Sequence, residues 1–130
     1  MIDKTVFSIN LWDVYQKEGR QCAESGDLDG ALERFQAALE KAQSYGKNDP
    51  RVATSKRCLA EVLVRQGKTD EAGDLFEQSL ALLENELGED SASLLKTLHS
   101  YGDLLGQLGD KDKLDEINAR ISEIESKSSD

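Results

Sequence analysis

No run of about 18 apolar residues, the length that spans a bilayer, occurs anywhere in the 130-residue chain, so a transmembrane helix is not expected. The opening MIDKTVFSIN has neither a basic leader nor a long apolar core. A secretory signal is therefore not expected either, and the expected location is cytoplasmic. Positive charge is scarce: 16 Lys and Arg face 26 Asp and Glu, for a net charge of −10. Such an acidic protein repels phosphate backbones and anionic lipid at long range. Nucleic acid and membrane surfaces are thus excluded as expected partners. Cysteine is scarce too, with Cys22 and Cys58 alone, no C-x-x-C pair, and no nearby Cys or His to complete a metal site. Both occupy apolar positions of a helical pattern and read as reduced core thiols. The single histidine, His99, has no Ser or Cys at a spacing that implies a triad. No enzyme, metal site or cofactor is expected.

What is present is charge in quantity and apolar residues in rhythm. The charged fraction is 32% and the hydrophobic fraction only 38%, a balance that suits amphipathic helices with richly solvated outer faces. A chain of this length forms one domain and buries roughly two thirds of its unfolded surface.

The sequence also repeats itself. SGDLDGALERFQAAL at 25–39 returns as QGKTDEAGDLFEQSL at 66–80, aligning Gly26 with Gly67, Ala31 with Ala72 and Phe35 with Phe76 at an offset of 41. A further step of 42 reaches Gly109, Leu114 and Asn118, so the third copy keeps the glycine but loses the small residue and the aromatic. Upstream, Gly19, Ala60 and Gly102 are small at matching offsets, and Cys22, Leu63 and Leu105 are apolar. Ser8, Asp49 and Ser91 stand as helix N-cap types at the start of each copy, and Pro50 suits the first helical position. Each copy therefore reads as helix, glycine turn, helix and loop. The expected organisation is an extension at 1–7, repeats at 8–48, 49–90 and 91–126, and a tail at 127–130. Three helical hairpins in series make an all-α solenoid. The copies need one another because the apolar residues of the second helices spread over more than one stripe. Leu114, Ile117, Ile121 and Ile124 form a single seam, so the last helix reads as a wet-faced terminal cap.

A small residue in mid first helix, a glycine at the turn, then alanine and an aromatic in the second helix: this pattern resembles the tetratricopeptide repeat. That repeat normally has 34 residues. The longer period here, with the L-G-E-D loop at 87–90, resembles the extended variety found in kinesin light chains. The resemblance implies a right-handed superhelix whose first helices line a concave face. It maps groove positions to Asp13, Gln16, Arg20, Ala23 and Glu24, then Thr54, Arg57, Glu61, Val64 and Arg65, then Lys96, His99, Asp103, Gly106 and Gln107. The four cations and four carboxylates among them cancel, leaving the groove less acidic than the rest of the chain.

The function so implied is a non-catalytic interaction module or adaptor that holds a peptide or helical segment of a partner protein. Arg57 and Arg65 stand out as binding residues. A self-associating scaffold and, less well supported, an enzyme are the alternatives. Ile2, Val6 and Phe7 either cover the open side of the first hairpin or join a second copy of the chain. Slots that grip a C-terminal carboxylate in some members hold Gln16, Arg20, Cys58 and Ser100 here, with only Lys96 in agreement. The glycines at 102, 106 and 109 have the wrong spacing for a phosphate loop, and Gly106 has no evident role.

Overall fold

The computed structural model describes residues 10–86 and 92–128. They form six helices: α1 (Leu11–Glu24), α2 (Leu28–Ser44), α3 (Pro50–Arg65), α4 (Thr69–Glu86), α5 (Ala92–Leu108) and α6 (Lys111–Ser128). No strand occurs among the described residues.

Side-chain caps start α1, α2, α3 and α6. Asp27 accepts from the Gly30 N–H at 2.9 Å, and Asp49 from the Arg51 N–H at 2.9 Å with Pro50 at the first position. In α1 the cap is Asn10, whose side chain accepts from the Asp13 N–H at 3.4 Å. The helix thus begins later than a cap at Ser8 would start it. Ser8 and Ser91 lie outside the described residues, as do the 1–7 extension and the 87–90 loop.

The first helix of every hairpin ends in the same way. Gly26, Gly67 and Gly109 have φ of 87°, 81° and 74°. Their neighbours Asp27, Lys68 and Asp110 donate main-chain N–H groups back to the carbonyls of Cys22, Leu63 and Leu105 at 2.8, 2.9 and 3.1 Å. This closing bond satisfies a carbonyl that the helix leaves open, and it needs a left-handed residue that only glycine adopts without penalty.

Packing follows the chain order. Within hairpins α1 lies on α2, α3 on α4 and α5 on α6, while α2 contacts α3 and α4 contacts α5 between hairpins. Phe35 fills the first hairpin against Gly19, and Phe76 stacks on Tyr101 of the next hairpin with centroids 5.6 Å apart. Ile117, Ile121 and Ile124 bury the inner seam of α6, while Asn118 and the carboxylates of Asp115, Glu116 and Glu123 face water.

The joint between the second and third hairpins is also polar. The Tyr101 hydroxyl donates to Glu77 Oε1 at 2.8 Å, and Lys113 Nζ pairs with the same oxygen at 2.6 Å. Burial first, and then the Glu77 hydrogen bond, push the Tyr101 phenol up to about 12. A phenol whose folded pKa exceeds its unfolded value of about 10 adds stability that is complete below pH 10 and lost as pH rises through about 12. Glu77 raises Lys113 in the same direction. The melting temperature should therefore fall between about pH 10 and 12, and Tyr101→Phe should make that fall shallower. Parallel pH profiles for the variant and the parent would contradict the assignment.

Candidate protein-binding groove

Parallel first helices turn one stripe each toward a shared face, so α1, α3 and α5 build a groove with a cavity of about 780 Å³. That volume is within the range of ligand pockets. From α1 come Asp13, Gln16, Arg20, Ala23 and Glu24, all five positions expected from the repeat. From α3 come Thr54, Arg57, Glu61 and Arg65, and from α5 comes Lys96. Phe35, Cys58 and Val62, all buried, form an apolar floor.

Some expected positions fall elsewhere. Val64, Asp103 and Gln107 line a smaller cleft of about 220 Å³ between α3 and α5, which shares Glu61 with the main groove. His99 is in neither: its Nε2 sits 3.5 Å from Glu125 Oε1 of α6. Gly106 is exposed on α5, with only Leu114 near its open side. The groove also recruits Trp12, Lys17 and Ser93, which the repeat spacing does not single out. Each is a neighbour in sequence or one turn away from an expected position, which was the available signal.

Rungs between first helices hold the groove's shape. Trp12 Nε1 donates to Ser55 Oγ at 2.8 Å, and Arg65 Nη1 donates to the Ala23 carbonyl at 2.9 Å. Arg57 pairs with Glu61 at 2.9 Å, one turn along α3, and Glu61 also accepts from Ser100 Oγ at 3.0 Å. Both arginines picked out by spacing are thus engaged within the fold. Gln16 is only 5% exposed, and its Nε2 donates to Cys58 Sγ at 3.5 Å while Oε1 is buried without a partner. Burial pushes the Cys58 thiol up, so it rests neutral, as packing material for the floor. Among the described residues no three His, Cys, Asp or Glu side chains converge as metal ligands, and no helix is long and apolar enough to cross a membrane.

Serial hairpins with equivalent glycine turns and a groove of first helices define a helical repeat solenoid of the kind that serves as a binding scaffold. The tetratricopeptide repeat family model matches residues 51–113, which cover α3, α4 and most of α5. Residues 51–113 thus match the tetratricopeptide repeat, and the fold of the described residues is similar to that of kinesin-light-chain-like repeat structures. BtubC (BKLC) from P. vanneervenii is similar over 89% of this chain and 46% of its own, with a TM-score of 0.82 and 23% identity. The nearly identical TPR-like repeats of a Podosopora anserina protein described as a kinesin light chain are similar over 89% of this chain and 56% of theirs, with a TM-score of 0.77 and 20% identity. The chain thus spans about half the length of these structures. No curated protein sequence matches it.

Proposed function

We propose that this chain is a non-catalytic adaptor that holds a segment of a partner protein across α1, α3 and α5. One observation carries the reading: side chains from three successive first helices converge on one cavity of about 780 Å³, over an apolar floor. Groups that fix the groove's shape point along or between helices, while Lys17, Arg20 and Lys96 are exposed at its rim. A preformed groove lowers the ordering cost of binding and so suits a flexible segment. Residence in a reducing compartment belongs to the same reading, since Cys22 and Cys58 are free thiols.

Peptides selected from a phage-displayed random library against the immobilised chain test this directly. Their affinity should fall more than about tenfold with Arg20→Glu combined with Lys96→Glu, and hold with Glu40→Lys on the exposed face of α2. Equal binding to all three proteins would show that the groove is the wrong surface. Helicity by circular dichroism should be the same throughout.

A further inference from the structure

The first helices share one register, but the side that each turns to the preceding hairpin is covered only in α3 and α5. Val52, Ser55 and Leu59 of α3 hold the same places as Leu94, Thr97 and Tyr101 of α5, at the offset of 42. All six are buried. The preceding hairpin covers them: Phe35, Leu39 and Ala42 cluster with Val52 and Leu59, and Phe76, Leu80 and Leu83 with Leu94 and Tyr101. In α1, at the offset of 41, the same places hold Leu11, Val14 and Glu18. Among the described residues no helix precedes α1, and Leu11 and Val14 are 40% and 38% exposed. Tyr45, also exposed, extends the patch, since its hydroxyl donates to Asn10 Oδ1 at 3.4 Å, next to Leu11. Three of the four large apolar side chains exposed among the described residues thus gather at this end.

The opposite end of the stack differs. The α6 residues in register with Phe76, Leu80 and Leu83 are Asn118, Ser122 and Glu125, all polar and exposed. Copies joined head to tail would bury these groups against Leu11 and Val14, which costs their hydration and returns no hydrogen bond. Two first hairpins that meet about a two-fold axis instead lay the same apolar patch on itself, the isologous contact of a closed dimer. Charge is self-complementary across such an axis as well. Arg34 of α2, in the register of the apolar Leu75 and Ile117, pairs with Glu18 at 3.9 Å, and both side chains are nearly half exposed. So long a contact between solvated groups contributes little within one copy. Across the axis the Glu18 of each copy meets the Arg34 of the other, which fixes the register of the contact.

We infer that the outer side of the first hairpin docks a second copy of this chain, head to head, with Leu11 and Val14 at the centre and Glu18 and Arg34 paired across the two-fold axis. Two helices about 20 Å long and about 10 Å apart offer about 400 Å² per copy, so the association belongs to the weak class. Leu11, Val14 and Glu18 line neither cavity, and the dimer therefore leaves both grooves open.

Sedimentation equilibrium of the full chain from about 1 μM to 1 mM tests the contact. The mean mass should rise from that of one chain toward that of two and stop there. Leu11→Glu combined with Val14→Glu, both at exposed positions, should weaken the dimer more than about tenfold with helicity unchanged. Glu18→Arg alone should weaken it about fivefold, and Glu18→Arg together with Arg34→Glu should restore it, a rescue that unspecific stickiness would not show. The mass of one copy throughout, a mass that passes two copies, a dimer that survives the Leu11 and Val14 changes, or a charge swap without rescue overturns the inference.

Discussion

Phe76→Ala lowers the folding stability by about 3 to 5 kcal/mol. The ring is 1% exposed and belongs to the apolar cluster that joins α3, α4, α5 and α6. It packs within its own hairpin and stacks on Tyr101 of the next, 5.6 Å between centroids. Its loss therefore leaves a cavity at the joint between hairpins, and the aromatic pair forfeits about 0.5 to 1.5 kcal/mol beyond burial. Neighbours cannot easily collapse into the gap, because Leu83, Leu94, Leu98 and Leu104 are themselves almost fully buried. Urea denaturation of the variant and the parent measures the difference. A loss below about 1 kcal/mol would mean that the ring does not brace the two hairpins.

Alanine at Gly19 and alanine at Gly102 should act in opposite directions, although the two glycines hold the same place in their repeats. A Cβ on Gly19 would sit 2.6 Å from Cε1 and 2.7 Å from Cδ1 of Phe35. The ring is 3% exposed and has nowhere to retreat. Overpacking of this kind costs about 1 to 3 kcal/mol, more than the helix gains from replacing glycine. On Gly102 the same atom would meet Ile117 and Leu114 at 3.6 and 3.7 Å, which is ordinary contact. There the gain in helix propensity prevails, and Gly102→Ala stabilises by about 0.5 to 1 kcal/mol. The cause lies in the second helix, where the first copy has Phe35 and the third has Asn118. Thermal melts of the two variants decide the matter; shifts of the same sign would contradict it.

The hairpins were legible in the sequence because each repeated residue answers a local demand. A left-handed turn wants glycine at Gly26, Gly67 and Gly109, and a helix start wants an acceptor at Asp49. The groove stripe on α1 came from the resemblance to the repeat, and its steps of three and four residues do share one face of a helix. All five α1 positions expected from the repeat line the cavity. His99 turns to Glu125 of α6, and Asp103 and Gln107 line a separate small cleft, while the groove takes only Ser93 and Lys96 from α5. The α1 start moved to Asn10, whose amide caps as well as a serine hydroxyl does.

The sequence by itself determined the helices, their glycine turns and the repeat of the hairpins, since these depend on neighbours within a few residues. Only the tertiary structure decided which charges are free. Arg65 reaches Ala23 across 42 positions, Glu61 reaches Ser100 across 39, and Gln16 meets Cys58 across 42. Such partners are set by the offset and rotation between hairpins, and long side chains choose among several groups within reach only once those hairpins are stacked. That choice left Lys17, Arg20 and Lys96 facing the groove without partners among the described residues.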